Sequence, residues 1–162
     1  MSEPVPDFDR VRERYPEGFE PSLVLPLLRR AQEARGYVAD EDIERIVADL
    51  GVPRIQVEEV LSFYTQFRRA PVGRVHIEAC RNLSCSLRGA ERLIGHLSHR
   101  LGIEPGHTTA DGRFSLATCE CAASCGTAPV VLVNGAYHED MTEAKIDALI
   151  EGEEVARSRG TS

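Results

Sequence analysis

Four of the five cysteines in this chain fall in two close pairs, Cys80 with Cys85 in CRNLSC and Cys121 with Cys125 in CAASC. Two short thiol pairs parted by one long stretch are the arrangement of two loops that converge on an inorganic centre, each pair supplying half of the coordination sphere. The fold must therefore bring two distant segments together. Five is also an odd number of thiols, so an all-disulfide scheme strands one of them. In a reducing compartment such thiols hold metal or do redox work rather than form structural bridges.

The first half of the chain reads as helical. Val24, Leu27, Leu28 and Ala31 stand at i, i+3, i+4 and i+7, and the spacing returns in Ile43, Ile46, Val47 and Leu50 and in Val57, Val60, Leu61 and Tyr64. This predicts three short amphipathic helices. Gly36 and Gly51 suit left-handed caps, Asp40 suits acceptance from free helix N–H groups, and Pro53 blocks continuation. Pro26 lacks a backbone donor and predicts a late start for the first helix. The stretch RRAPVGR reads as a linker, which gives a helical region over 1–70 and a second domain over 71–162.

After the linker the period changes. Val75, Ile77 and Ala79 alternate with His76 and Glu78, the pattern of a strand that delivers Cys80 at its end. A helix is predicted over 86–101, with Leu87, Ala90, Ile94 and Leu97 on one face, then a strand over 114–118 ending ahead of Cys121. The apolar run 129–133 reads as a buried strand, and Pro129 before it is a candidate cis proline. Asn134-Gly135 signals a two-residue hairpin, followed by a strand over 136–138. The last helix begins at Thr142, with Met141 and Ile146 as a hydrophobic staple. Strand, helix, three strands and helix, with the cysteines on the loops after the first two strands, fit a small α/β sandwich of the thioredoxin-like kind.

A net charge of −7, with acidic residues gathered towards both ends and no basic stripe with interleaved aromatics, argues against nucleic acid as a partner. The longest apolar runs, LVLPLL and VVLV, fall far short of the roughly 20 residues that span a bilayer, so no direct membrane insertion is expected. The acidic, Pro-rich start lacks the features of a signal or transit peptide, and the chain reads as cytoplasmic. There is no acid–base pair, activated nucleophile or G-x-G-x-x-G turn to argue for. The chemistry expected of the chain itself is one-electron storage and transfer.

Three known thiol centres differ from this pattern. A thioredoxin active site needs C-x-x-C, a Rieske centre needs two histidines beside its cysteines, and plant-type ferredoxins share only the first pair. Spacers of four and three residues are wider than those usual in zinc ribbons, and favour a 2Fe-2S cluster whose thiolates reach two metal atoms. A zinc-stabilised binding module is the alternative.

Cys119 forms C-x-C with Cys121, and reads as a buried small hydrophobe in preference to a fifth ligand. Cys85 is expected at a helix N-terminus, where the dipole favours thiolate. Gly126 is expected to let the backbone approach the sulfurs. Arg81 and Arg88 are candidates to offset cluster charge, with exposed solvated arginines the plainer reading. His76, His96, His99, His107 and His138 show no ligand spacing and read as surface or turn residues.

The segments CRNLSCSLRGAE, ECAASCGTAPVVLVNGAYHEDMT, AQEARGYVADEDIERIVADLGVP and SFYTQF resemble the small 2Fe-2S subunit (NuoE type) of bacterial NADH-quinone oxidoreductase, respiratory complex I, over about residues 20–150. The specific part is C-x4-C followed by C-x3-C-x3-P, ending here at Pro129. The resemblance implies an α+β chain: an N-terminal helical bundle followed by a thioredoxin-like α/β ferredoxin domain, with Cys80, Cys85, Cys121 and Cys125 as ligands of one 2Fe-2S cluster. It further implies a flavin- and NADH-binding partner subunit that passes electrons singly to this cluster, and further iron-sulfur subunits of a peripheral arm. Such a chain sits at the inner face of the cell membrane through the complex. Similar subunits serve as diaphorase modules of NAD-linked formate dehydrogenases and hydrogenases, the alternative within the family. The SFYTQF aromatics are expected either at the partner contact or in the core.

Overall fold

The structure, a computed structural model, describes residues 8–159, and side chains from 8 to 152. The acidic start of the chain, residues 1–7, lies outside the described residues. The chain divides into two compact units, Met1–Pro71 and Val72–Ser162.

In the first unit a short helix α1 (Asp9–Arg12) and a 3₁₀ turn (Glu20–Leu23) precede α2 (Val24–Arg35), α3 (Asp40–Leu50) and α4 (Arg54–Phe63). The three longer helices bury the predicted positions Val24, Leu27, Leu28, Ile43, Ile46 and Val57 in one apolar cluster. Pro26 does not delay α2: it occupies the first turn, where the missing N–H has no intrahelical partner to lose. Gly36 and Gly51 close α2 and α3 with φ of 88° and 65°. At the start of α3 the capping carboxylate is Asp42, which accepts from the Ala39 N–H at 3.0 Å. Asp40, the residue expected there, instead pairs with Arg54 and Arg69 at 3.3 and 3.0 Å. The SFYTQF aromatics divide: Phe67 is buried, whereas Phe63 is 77% exposed.

The second unit holds a five-stranded sheet in the order β2-β3-β1-β4-β5, built from β1 (Val75–Cys80), β2 (His107–Thr108), β3 (Phe114–Cys119), β4 (Val131–Val133) and β5 (Ala136–His138). The central pair β1 and β3 is parallel and the other pairs are antiparallel. Side-chain alternation along β1 sends Val75, Ile77 and Ala79 to one face and His76, Glu78 and Cys80 to the other. Helix α5 (Leu83–Leu87) follows β1 directly. The apolar face of the sheet packs against Leu93, Ile94 and Leu97 of α6 (Ala90–Leu101) and Ile146 and Ile150 of α7 (Glu143–Arg159). Removing a side chain such as Ile77 from water contributes about 1.5–3 kcal/mol. Polar pairs join the two helices on the solvent side, with His96 and Arg100 each 2.8 Å from Asp147.

The helix expected over 86–101 is two helices, α5 and α6, because Gly89 takes φ of 92° and breaks the run. Leu87, assigned by periodicity to the apolar face of one long helix, is 78% exposed on the short one. The two-residue strand β2 is too short to leave a period in the sequence. Asn134 and Gly135 take φ of 50° and 82° and form the expected hairpin turn. The Ala128–Pro129 peptide is cis. Met141 and Ile146 are both buried at the start of α7. Among the described residues, no helix is long and apolar enough to cross a membrane.

Candidate metal centre

The first thiol pair is built from backbone geometry. Cys80 is the last residue of β1, and its N–H donates to the Val130 carbonyl at 3.1 Å. The next amide, Arg81, donates to the Cys119 carbonyl at 3.0 Å, so the chain is tied to its neighbours on both sides as it leaves the sheet. Asn82 then caps α5, its side-chain oxygen accepting from Leu83 N–H at 2.7 Å, and the Ser86 hydroxyl donates to the Arg81 carbonyl at 2.8 Å. One turn of helix points Cys85 inward while Leu83 and Leu87 face solvent. Cys85 is thus the third residue of a five-residue helix, within the first turn and not at its cap. Cys80 and Cys85 are both buried, beside Ala90, Ala122, Ala128 and Val130.

The second pair lies on a loop with one 3₁₀ turn, Cys125–Thr127. Ala123 takes φ of 55°, and its N–H donates to the Cys121 sulfur at 3.3 Å. Cys121 and Cys125 are exposed. Apart from its two chain neighbours, no protein atom lies within 4 Å of a Cβ built on Gly126.

The two halves meet in one small buried cluster. Burial opposes charge on Cys80, but the N–H groups of Asn82 and Ala122 and the thiols of Cys85 and Cys119 outweigh it and hold the Cys80 pKa below the ordinary thiol value. Ala122 belongs to the second loop and is buried in one cluster with Cys80 and Cys85 of the first. Cys85 is shifted upward, by burial first and by its neighbour Cys80, while the Val130 N–H works against the shift. Burial pushes Cys119 up to about 11, so at neutral pH it is a thiol. Strand register sets Cys119 directly opposite Cys80, where it packs against the cluster that holds Cys80 and Cys85.

The donor set is four thiols on two loops, with the Ala123 N–H aimed at the Cys121 sulfur, which suits an anionic iron-sulfur centre. Among the described residues, no three His, Cys, Asp or Glu side chains gather around one point; the thiols stand as a buried pair and an exposed pair. Arg81, a candidate to offset cluster charge, is already paired with Glu120, at 3.0 and 2.6 Å. This ion pair links the residue after Cys80 with the residue before Cys121.

His76 departs from the sequence reading. It is buried, with Nδ1 2.7 Å from the Ser115 hydroxyl, and that hydroxyl also accepts from the Gly73 N–H at 3.1 Å. Alternation places His76 on a strand, but its partner lies on β3, and only the register reveals the pair. Sequence reasoning alone also misses Glu139. Its carboxylate accepts from the hydroxyls of Ser124 and Thr127 on the second cysteine loop, the latter at 2.6 Å. The only sequence signal for it is an acidic residue just after the last strand.

Comparison with known proteins sets this geometry among relatives. Residues 8–154 match the family model described as thioredoxin-like [2Fe-2S] ferredoxin. The chain is 43% identical over 138 residues to an E-type NADH-quinone oxidoreductase subunit of Rhizobium meliloti, covering 85% of this chain and 81% of the relative. It is 42% identical over 140 residues to NADH-quinone oxidoreductase subunit 2 of Thermus thermophilus, covering 86% of this chain and 77% of that one. Among solved structures, an NAD+-reducing [NiFe]-hydrogenase in the air-oxidized state aligns with a TM-score of 0.69 and 28% identity, over 80% of this chain. The match spans only 23% of that hydrogenase chain.

Proposed function

The chain belongs to the thioredoxin-like [2Fe-2S] ferredoxin family, and from that premise we propose that it is the electron-transfer subunit of an NADH-quinone oxidoreductase. Cys80, Cys85, Cys121 and Cys125 would hold one 2Fe-2S cluster. When bound, that group supplies one-electron storage, which lets a two-electron hydride donor be emptied in single steps. The observation that carries the assignment is the burial of Cys80 and Cys85 in one cluster with Ala122 of the second loop, in a chain of this family.

The protein's own residues set the conditions at that site. The buried pair Cys80 and Cys85 keeps water from one side, and the Ala123 amide donates to the Cys121 sulfur. Donation to sulfur favours the more negative, reduced state and raises the potential. Cys121 and Cys125 open towards solvent, which is the side available to a redox partner. The partner in this reading is a flavin- and NADH-binding subunit, followed by further iron-sulfur subunits of a peripheral arm. The location is the cytoplasmic face of the cell membrane, held there through the complex. The helices of the first unit are read as an N-terminal helical bundle over 1–70, ahead of the ferredoxin domain over 71–162.

Likeness to an NAD+-reducing hydrogenase chain favours one second reading, a diaphorase module of an NAD-linked hydrogenase or formate dehydrogenase. The proteins that co-purify with the chain separate the two.

Anaerobic purification tests the cluster. Two iron and two sulfide per chain, with a visible spectrum and an EPR signal on reduction, are the expected result; a colourless protein holding stoichiometric zinc would sink the reading. Cys121→Ser should abolish the spectrum and Cys119→Ser should leave it intact. The reverse outcome would move the ligand assignment to Cys119.

A further inference from the structure

The loop bearing Cys121 and Cys125 has little to hold it in place. Of its residues 121–127, only Ala122 is buried, and its regular structure is limited to the 3₁₀ turn Cys125–Thr127. Backbone bonds fasten its far end, where Asp140 N–H donates to the Thr127 carbonyl at 2.8 Å and Met141 N–H to the Pro129 carbonyl at 2.9 Å. Around Cys125 the Thr127 N–H donates to the Ser124 carbonyl at 3.2 Å, a bond within the loop, and side chains tie this stretch to the turn after the last strand.

Three oxygens meet there. The Ser124 and Thr127 hydroxyls are 2.8 Å apart, and both reach Oε1 of Glu139, Thr127 at 2.6 Å. Thr127 also lies 3.3 Å from the Ser124 carbonyl. Each hydroxyl carries one hydrogen and a carboxylate only accepts, so the arrangement is satisfied when both hydroxyls donate to Glu139. The two donors flank Cys125, one on its N-terminal side and one two residues beyond. Behind the carboxylate, the Lys145 ammonium donates to the Glu139 and Asp140 carbonyls at 3.2 and 2.9 Å, which fixes the turn that presents Glu139. The acceptor thus comes from a braced turn and the donors from the loop that needs support.

Given the cluster reading above, on which this inference rests, we propose that Glu139 is a positioning residue that holds the Cys121–Cys125 loop in its metal-binding form by accepting from Ser124 and Thr127. The hydroxyls also hold the Glu139 carboxyl below the ordinary carboxylate range, as expected if they donate to its charged form. Glu139 acts on the thiols through the loop.

The test uses the full chain carrying its cluster. Release of iron to a chelator is followed by visible absorbance under anaerobic conditions, the midpoint potential by EPR-monitored titration, and the fold by circular dichroism. Glu139→Ala should release iron faster, on the order of tenfold, the scale seen when a residue supporting a metal ligand is lost. Its circular dichroism should stay that of the wild type. Glu139→Gln keeps an acceptor oxygen and loses the charge, so it should retain the cluster nearly as wild type while the potential rises. The double variant Ser124→Ala, Thr127→Val removes the donors instead and should reproduce the fast release, which keeps the test valid if Glu139→Ala folds poorly. Wild-type release and potential in both Glu139→Ala and the double variant would overturn the proposal, as would Glu139→Gln releasing iron as fast as Glu139→Ala. A wild-type chain that binds no iron and sulfide overturns the functional reading instead.

Discussion

The two halves of the thiol site are held by different means. Cys80 and Cys85 are buried at 4% and 2% relative exposure, fixed by a strand end, a helical turn and backbone bonds to both neighbouring strands. Cys121 and Cys125 are exposed, on a loop held by two hydroxyls and one carboxylate. The first half is a product of the core. The second is a polar fastening at the surface, which solvent competes for and which opens without unfolding the sheet.

The comparison can be broken from the core side. Ile77 of β1 is fully buried, so Ile77→Ala should cost about 2–5 kcal/mol, seen as a lower denaturant midpoint. Because Cys80 ends the same strand, cluster retention should fall in step with stability. A variant that lost stability but kept iron as firmly as wild type would show that the first half does not depend on the core. Asn82→Ala removes the cap of α5 and should cost about 1 kcal/mol. Its effect should concentrate in exchange of the 83–87 amides, measured by hydrogen exchange, and leave the second loop unchanged.

The smallest effect is a pH dependence confined to the second half. Hydrogen bonds from Ser124, then Thr127, lower the Glu139 pKa below 4.5. A depressed carboxylate pKa gives stability that is fully present above the unfolded value and is lost as pH falls through the folded one. The fastening should therefore be intact at neutral pH and weaken only on acidification below about 4.5. Site-resolved NMR should find the Glu139 midpoint below that value, and Ser124→Ala with Thr127→Val should bring it back up. An unchanged midpoint in the double variant would mean the hydroxyls are not its partners.

The same division separates what is legible in the sequence from what is hidden there. Pattern along a single element is readable: the alternation of VHIEAC, the heptad-like spacing of Ile43, Ile46 and Leu50, the Asn134-Gly135 turn and the paired cysteines. Each is set by local chemistry. What goes unread depends on partners distant in sequence or on one backbone angle. His76 reads as a surface residue because nothing within its strand reveals Ser115, 39 residues away. Leu87 reads as core because periodicity runs straight through Gly89, which in fact interrupts the helix. Pro26 reads as an obstacle although its position in the first turn makes it harmless. Glu139 has no motif, and its role exists only once the hairpin returns the chain to the second cysteine loop.

The parallel register that seats Cys80 opposite Cys119 has a consequence for how the chain is assembled. Any centre bridging the two thiol pairs is a cross-link across the β1–β3 seam, closing the long segment that includes α5 and α6. Cross-links of that kind stabilise by restricting the unfolded chain, and the energy of binding becomes energy of folding. A slip of one residue along the seam would turn Cys80 to the opposite face and undo the cross-link. In the proposed cluster, occupancy of the four thiols would therefore proofread the pairing of the two central strands.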